Sequence, residues 1–479
     1  MSSSSQVDSD SIGMASSVDE NESPSISQTM TFLVDAEMHE SAIIEMLPDT
    51  GDCPVYGLVL CCWNNILGPH SKCVWLTEDK QKFTRDHIHY LSTRMLTSCE
   101  QPQSTIDSKI LILPDRGIVV AVFLFSGHDR DEKTIFALSL VIPHEEYTWY
   151  LPIHEMCSER LTGMIRKLRV LQDKNKDELQ TTGSALEAFS AEVPSFIQLV
   201  TLLKTHGVSS RMELRDTVFA SGQVRQLDVH FTRIAIGSHL QSCGCSIIVG
   251  NTPADVNLMI STLAIFLTPS ERQCCLYLDN MPRTYQKDVL IQGFVKDSIN
   301  LDDFLPVIMT SQYPTTLIDM VTLEVRQTLR YNEHAFRRHE TMSQELRSLW
   351  LGSDKPMLYT PIFHFSLKPE VETIVETFLK EILMLQSSQC GVREAFIEEF
   401  LHMLDRKALS LIKYVEEETN RGNKPNRLAV RHLKHDLHLT PDGNFRIVLA
   451  AAEKLKPGIY TLVCGNPGQP RDSYADLVT

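Results

Sequence analysis

The fold is decided first by the segment VYGLVLCCWNNILGPHSKCVWL, which covers residues 55–76. Residues 55–62 form an apolar run typical of a buried strand, and residues 71–76 are a second short strand. The residues between them, Trp63 to Pro69, contain two asparagines and a glycine, which supply the side-chain hydrogen bonds and the positive φ that turns need. The segment therefore predicts a β-hairpin with an aromatic side chain and two amides at its turn.

The residues after this hairpin predict a small α/β unit. Three further strands are expected, at residues 109–113, 118–125 and 134–142. The first two flank a proline-initiated turn at 114–117, and a helix is expected near 85–97. Pro152 opens a longer closing helix, whose apolar residues recur on one face as far as Leu171. A unit of roughly 120 residues is within the normal domain range.

A second α/β unit and a helical C-terminal part are expected further along the chain. Residues 246–250 read as a buried strand, and Thr252 caps the helix that follows, with Pro253 at its first position. From Pro369 onward the pattern is helical, and residues 393–418 carry the best apolar stripe. The predicted organisation is a disordered acidic Ser-rich tail at 1–50 with short order near 30–47, a first unit at 51–172, a linker at 173–192, an α/β core at 193–368, a helical part at 369–465 and a tail at 466–479.

The charge of the chain is concentrated at its N-terminus. The net charge is −16, but residues 1–50 hold ten acidic and no basic residues, so the remainder has 51 acidic and 45 basic residues. This balanced remainder has no basic footprint for a phosphate backbone, so we expect no nucleic-acid partner. No stretch approaches 18 consecutive apolar residues and residues 1–30 have no signal-peptide pattern, so we expect membranes to be reached only through partners.

The sequence offers no recognisable catalytic motif. It contains no G-x-x-x-x-G-K-[ST], no G-x-G-x-x-G after a strand, no G-x-S-x-G and no H-E-x-x-H. These patterns form the phosphate cradle, the dinucleotide fingerprint, the nucleophile elbow and the helix-borne zinc site of familiar enzymes. We therefore expect no catalytic residue in this chain and no cofactor.

No metal site is expected either. The twelve cysteines include no Cys-x-x-Cys pair, and Cys243-Gly-Cys245 has no second pair at zinc-site spacing. His432, His435 and His438 lie three residues apart, so on a helix the first and last point about 120° away from each other. The histidines are interpreted as surface residues and most of the cysteines as buried free thiols.

Two turns carry candidate contact residues. Trp63, Asn64 and Asn65 offer an aromatic side chain and two amides for a partner protein, since tryptophan is favoured at binding hot spots. The alternative is that Trp63 packs into the core at the strand end. Arg116, in the turn at 114–117, is a weaker candidate for an arginine that stabilises a transferring phosphoryl group on a GTPase.

The chain resembles the longin–DENN family. The first matching tract is residues 63–69, where the family has Trp-Asp-Asn-Ile-Leu-Gly-Pro and this chain has Asn64 in place of the aspartate. Further similar tracts are SHLQSCGC at 238–245, FLTPSER at 266–272, YPTT at 313–316, RKALSLIKY at 406–414 and EKLKPG at 453–458. They follow one another in the family's order from about residue 55 to about residue 460.

The resemblance implies a longin domain at 51–172 and a DENN module at 193–465. It further implies a second longin–DENN protein and a WD-repeat propeller protein as partners, regulation of Arf- or Rab-type small GTPases, and a cytoplasmic protein recruited to endosomes and lysosomes. Trp63 would lie on the face that meets the GTPase, where Asn64 removes a family charge. Leu411 and Tyr414 are the candidates for the partner interface.

Three functions remain open at this stage. The first is the non-catalytic subunit of a GTPase-activating complex whose arginine comes from the partner. The second is a guanine nucleotide exchange factor for Rab-type GTPases, which opens switch loops and needs no phosphate motif of its own. The third is a scaffold that recruits partners to lysosomes or autophagy machinery.

Overall fold

The computed structural model describes residues 42–47, 51–77, 83–97, 105–129, 132–177, 183–220, 228–279, 284–296, 300–351, 365–386, 389–422 and 427–465. The strands are β1 (Ile43–Met46), β2 (Gly57–Asn64), β3 (Gly68–Leu76), β4 (Asp107–Leu113), β5 (Ile118–Asp129), β6 (Glu132–Pro143), β7 (Ser246–Gly250), β8 (Ile291–Val295), β9 (Thr316–Asp319) and β10 (Glu324–Gln327). The helices are α1 (Arg85–Thr97), α2 (Tyr147–Asp177), α3 (Gly183–His206), α4 (Val229–Gln241), α5 (Pro253–Ala264), α6 (Pro269–Arg272), α7 (Leu305–Ile308), α8 (Tyr331–Leu351), α9 (Ile374–Met384), α10 (Cys390–Asn420), α11 (Arg427–Asp436), α12 (Asp442–Leu455) and α13 (Ile459–Cys464). The α/β fold class is confirmed.

The first sheet has six strands in the order β1-β3-β2-β6-β5-β4. Each pair is antiparallel except β1 with β3, which is parallel. Successive residues of a strand face opposite sides, and both sides of β2 are covered. Cys61 packs on the side that holds α1, and Cys62 packs on the side that holds α2 and α3. The sheet is therefore buried on both faces, which explains the nearly continuous apolar runs of its central strands.

The linker predicted at 173–192 is wrong for the described residues of that range. Helix α2 continues to Asp177, and α3 begins at Gly183 and runs without a break through Pro194. Phe189 of α3 packs against Trp75, with ring centroids 5.2 Å apart, and Ser190 accepts a hydrogen bond from the Trp75 indole at 3.0 Å. These contacts show that α3 completes the core of the first sheet.

Helix α3 is also apolar enough to resemble a membrane span. Residues Ala185–His206 form the one helix among the described residues that is long and apolar enough to cross a membrane. Its large apolar side chains, however, belong to the core of the first sheet, among them Phe196, Ile197 and Val200. Core packing accounts for the composition of this helix.

The second sheet has four strands in the order β10-β9-β7-β8. Strands β7, β8 and β9 are parallel, and β10 pairs with β9 in the antiparallel sense. The predicted cap after β7 is confirmed, because the Thr252 hydroxyl accepts from the amide of Asp255 and Pro253 begins α5. Between β8 and β9 the described chain includes the helical turn 301–304 and α7.

The C-terminal helices pack on α10, which carries the predicted apolar stripe. Its buried residues include Phe400, Leu404, Ala408, Leu411 and Val415. Glu453 of α12 joins three elements: it accepts hydrogen bonds from the Tyr331 hydroxyl of α8 at 2.9 Å and from the amides of Gly458 and Tyr460 at 2.7 Å. The tract 453–458 that carries part of the family resemblance therefore has an internal structural role.

Helices α2, α3 and α8 join the two sheets' layers through ion pairs. Lys167 of α2 lies 2.9 Å from a carboxylate oxygen of Glu192 on α3 and 2.8 Å from one of Glu345 on α8. Arg338 of α8 pairs with Glu159 of α2 at 2.6 Å. A cavity of about 290 Å³ lies between these helices and α7. The contacts make α8, a helix that the sequence analysis did not identify, the bridge between the units.

Two predicted starts are also corrected. The closing helix begins at Tyr147, not at Pro152, which lies inside the helix near its N-terminus, where a proline is tolerated more readily than in the middle. Residues Ile43–Met46 of the predicted tail form β1, because they pair with β3. Most of the predicted tail at 1–50 and the tail at 466–479 lie outside the described residues.

Two buried histidines predict that the protein loses stability in mild acid. Burial lowers the pKa of His239 to about 3 and that of His334 to about 4, with Lys454 adding to the effect at His239. Below the ordinary value near 6.5, the unfolded chain binds protons that the folded protein does not, so stability falls as the pH falls. Each histidine contributes about 1.4 kcal/mol per pH unit between about pH 6 and the folded pKa.

The measurement is the urea midpoint between neutral pH and about pH 5. His334→Gln, which keeps a group able to donate to the Ser311 carbonyl that His334 Nε2 contacts at 2.9 Å, should reduce the pH dependence by one histidine's share. The control is His435→Gln, because the His435 side chain is 87% exposed. An unchanged pH dependence in His334→Gln would contradict the prediction.

Candidate functional site

The candidate contact surface is the turn that joins β2 to β3. We call residues 63–68 the hairpin tip. Trp63 pairs with Pro69 and Asn64 with Gly68, so both candidates end a strand and the turn itself is 65–67. The Asn64 side-chain oxygen accepts hydrogen bonds from the amides of Ile66 at 2.8 Å and Leu67 at 3.0 Å. The amide side chain therefore closes the turn, as asparagine does in Asx turns.

Three apolar side chains of the hairpin tip face solvent. Ile66 is 93% exposed, Leu67 is 37% exposed and Trp63 is 36% exposed. The alternative that Trp63 packs into the core is wrong. Single exposed apolar residues are ordinary, whereas several that adjoin one another are typical of interaction surfaces. The sequence analysis identified Trp63 but missed Ile66 and Leu67, although both stand in the same turn.

The role expected for Asn64 is revised by this geometry. Its oxygen is already used by the turn, and an aspartate oxygen at this position can accept the same two hydrogen bonds. The difference from the family at Asn64 therefore keeps the turn intact while changing its charge. Asn65 is more exposed and donates to Glu132 of β6 at 3.3 Å.

Arg116 lies at the other end of the first sheet. The register aligns Phe125 with Phe136 and Phe136 with Cys62 near the hairpin tip, whereas Ile118, beside Arg116, aligns with Pro143. Seven residues of strand separate the two levels, a distance of roughly 25 Å. Arg116 is ion-paired with Asp86, and its guanidinium lies 4.7 Å from the centre of the Tyr90 ring. It therefore cannot act on a nucleotide held at the hairpin tip.

Leu411 is unsuited to direct contact with a partner. It is fully buried among the C-terminal helices, and Tyr414 is half-buried. Buried side chains of α10 recur with the helical period, so Leu411 faces inward while Leu409, two residues earlier, is 56% exposed. Leu409 is the better candidate on this helix.

The structure brings together one donor group that sequence reasoning missed. Cys62, His70 and Asp129 place a thiol, an imidazole and a carboxylate within 4.8 Å of one another, the one such group of three among the described residues. His432 and His435 lie on α11, whereas His438 lies beyond it with a positive φ. Among the described residues, His432, His435 and His438 do not bring their donor atoms together. The Cys62–His70 pair was not predicted because the two residues become neighbours only when β2 pairs with β3.

Known proteins resemble this chain over most of its length. The model of the C9orf72-like protein family matches residues 90–334. A human protein named guanine nucleotide exchange factor C9orf72 is 32% identical over 454 residues, which cover 87% of this chain and 93% of the human protein. The mouse and rat homologs match with the same identity and coverage.

This chain belongs to the C9orf72-like family.

Most tracts that carry the C9orf72-like resemblance have internal structural roles. In the tract 238–245, Ser242 bonds Thr316 of the tract 313–316 at 2.9 Å, and Gly244 has the positive φ that follows α4. In the tract 266–272, Thr268 and Glu271 form a capping box for α6, and Arg272 donates to carbonyls at the end of α5. The tract 63–69 differs, because three of its apolar side chains are exposed.

Proposed function

We propose that this chain regulates small GTPases of the Arf or Rab type and binds them through the hairpin tip. The observation that carries the proposal is the exposed row of Trp63, Ile66 and Leu67 on a turn held by Asn64. A rigid turn loses little conformational entropy on binding, and exposed apolar side chains gain from desolvation. The names of the human, mouse and rat relatives support a small GTPase as the partner.

The mode that we propose is nucleotide exchange. Arg116, the arginine that the sequence singled out, lies roughly 25 Å from the hairpin tip along the sheet. An exchange factor displaces switch loops and needs no arginine, whereas stimulation of hydrolysis commonly uses one. The name of the human relative, guanine nucleotide exchange factor C9orf72, supports the same mode.

The second candidate is the non-catalytic subunit of a GTPase-activating complex. The position of Arg116, far from the hairpin tip, fits a complex in which a partner provides the arginine. In this case the chain acts with a second longin–DENN protein and a WD-repeat propeller protein, on endosomes and lysosomes, as the longin–DENN resemblance implies. The partner would contact exposed residues of the C-terminal helices, of which Leu409 is one.

We expect substitutions at the hairpin tip to weaken GTPase binding at least about tenfold, the effect of losing one interface hot spot. Ile66→Asp is the sharpest variant, because a side chain that is 93% exposed contributes little to folding. Trp63→Ala should act in the same direction. The measurement is binding of GDP-loaded and nucleotide-free Arf and Rab proteins, together with the release of a fluorescent GDP analogue.

The matched control is Ile112→Asp. Ile112 is 45% exposed on β4, at the far edge of the same sheet, so it tests the general effect of an added charge. Equal exchange rates in wild type and Ile66→Asp would remove the hairpin tip from the proposal. If the isolated chain does not accelerate GDP release from the Arf and Rab proteins, while a reconstituted complex accelerates their GTP hydrolysis, the activating-complex alternative replaces exchange.

A further inference from the structure

Three strands bring a metal-binding set of side chains to one point behind the hairpin tip. The Cys62 Sγ atom lies 3.3 Å from His70 Nε2 and 4.0 Å from Asp129 Oδ2. Cys62 and His70 are register partners on β2 and β3, and Asp129 is the last residue of β5. The Cys62 side chain is fully buried, while His70 and Asp129 are half-buried. Strand pairing therefore fixes the backbones of all three donors.

The imidazole of His70 has a second contact of a kind that metal-bound histidines make. Its Nδ1 atom lies 3.3 Å from the carbonyl oxygen of Gly68. The Cys62 sulfur lies 3.9 Å from Nδ1 as well as 3.3 Å from Nε2, so it stands beside the ring, and the ring must turn about its Cβ–Cγ bond before the Nε2 lone pair faces a shared ion. The Nδ1–H group can donate to the Gly68 carbonyl. Metal-bound histidines commonly donate their other ring N–H to a carbonyl or carboxylate in this way, which fixes both the tautomer and the ring orientation.

We propose that Cys62, His70 and Asp129 form a binding site for Zn²⁺. Thiolate, imidazole and carboxylate are the three ligand types that zinc takes from proteins. In a tetrahedral site with Zn–S near 2.3 Å and Zn–N or Zn–O near 2.1 Å, neighbouring donor atoms lie about 3.6 Å apart. The observed 3.3 and 4.0 Å lie near this value and all three donor atoms lie within 4.8 Å of one another, so a turn of the His70 ring with shifts of the other two side chains would seat the ion. The fourth position is left for water or for a group of a binding partner.

Lys72 is the counter-cation of the site. Its ammonium lies 2.9 Å from Asp129 Oδ2, and both side chains are less than a fifth exposed. A zinc ion that takes this oxygen must compete with the ammonium for the carboxylate. Removal of the Lys72 charge should therefore strengthen zinc binding, an effect opposite in sign to the loss of any ligand.

A different arrangement of the same atoms makes the test necessary. A Cys62 thiol that donates to His70 Nε2 would also give a sulfur–nitrogen distance of 3.3 Å, with no metal involved. The two arrangements differ in what they do with added metal, because only the zinc site binds an ion through the sulfur. The zinc proposal stands on the donor geometry and does not depend on the proposed role in GTPase regulation.

The experiment uses the full chain stripped of metal with a chelator. Co²⁺ is titrated as a spectroscopic probe for Zn²⁺, and the readout is the charge-transfer absorption of a cobalt–thiolate bond. We expect saturation at one ion per chain and loss of the band on addition of Zn²⁺. The band should be absent in Cys62→Ser, the affinity should fall at least about tenfold in His70→Gln and Asp129→Asn, and Lys72→Met should bind more tightly.

The matched control is Cys61→Ser. Cys61 is the neighbouring buried cysteine and faces the other side of the sheet, so its replacement tests the effect of losing a buried thiol without removing a ligand. The exposed thiols Cys390 and Cys464 are replaced by serine in every variant to remove surface binding. Absence of the band in wild type, or an equal band in Cys62→Ser, overturns the proposal. His70→Gln, a half-buried position, keeps the test decisive if Cys62→Ser does not fold.

Discussion

Replacing Leu411 with aspartate is expected to unfold the C-terminal helices. Leu411 is fully buried among α10, α11, α12 and α13. Removing a buried leucine costs about 2–5 kcal/mol, and a buried carboxylate without a partner adds the cost of desolvation or protonation. A total of about 5 kcal/mol or more is comparable to the whole stability of an ordinary domain. The measurement is hydrogen exchange of residues 390–463, which should lose protection.

Leu409→Asp is the matched control on the same helix. Leu409 is 56% exposed, so the substitution should change the free energy of unfolding by no more than about 0.5 kcal/mol. Loss of partner binding in Leu409→Asp would identify an interface, whereas loss in Leu411→Asp would report unfolding. Native protection of residues 390–463 in Leu411→Asp would show that the packing of α10 is wrong.

Gly57→Ala is expected to disrupt the first sheet. Gly57 has φ +144°, and a Cβ atom added there would lie 1.9 Å from the carbonyl oxygen of Trp75 on the paired strand. The strand must move or the hairpin must open, because the obstacle is backbone. Strain and overpacking together cost about 4 kcal/mol or more. Near-ultraviolet circular dichroism, which senses the packing of Trp75, measures the loss together with a urea titration.

Gly68→Ala separates strain from collision. Gly68 lies on the same hairpin with φ +74°, but no atom lies within 4 Å of its added Cβ. The Gly68→Ala substitution should lower the free energy of unfolding by about 1 kcal/mol, the cost of the left-handed backbone strain alone. If Gly57→Ala lowers the free energy of unfolding no more than Gly68→Ala does, the close approach between β2 and β3 at Gly57 is wrong.

The sequence predicted those helices and strands whose deciding residues lie close together along the chain. The bounds of α1 match the prediction of 85–97, and the Thr252–Pro253 start of α5 is confirmed. The central strands of the first sheet were predicted because their apolar runs are bounded by turn residues. In each case the deciding interactions lie within a few residues of one another in sequence.

Tertiary packing decided the elements that were missed. Helix α8 was not predicted, and among its described side chains His334 is the one that is fully buried. The start of α2 was misplaced because Pro152 resembles a first-turn proline although the helix begins five residues earlier. The 173–192 range was predicted as a linker from its run of polar residues, because nothing in the local sequence shows that Phe189 of α3 packs on Trp75 of the sheet.

The candidate site was predicted in part for the same reason. Trp63 was predicted from the sequence as a contact residue. Only the fold shows that the Asn64 side-chain oxygen is hydrogen-bonded within the turn and that Leu411 faces inward. The Cys62–His70–Asp129 group depends on the register of β2 and β3 and on the length of β5. Spacing along the chain carries no signal for a set assembled from three strands.

The packing of α3 on the first sheet has a consequence for synthesis on the ribosome. Trp75 is covered by Phe189 and Ser190, and the same core includes Leu276 and Val289 from the second unit. A nascent chain that has been translated only as far as Gln172 therefore lacks the α3 side chains that cover the sheet around Trp75, although most of α2 is already present. Translation adds about 5–20 residues per second, so several seconds pass before α3 has been synthesised. Chaperones can bind the uncovered part of the sheet in that interval.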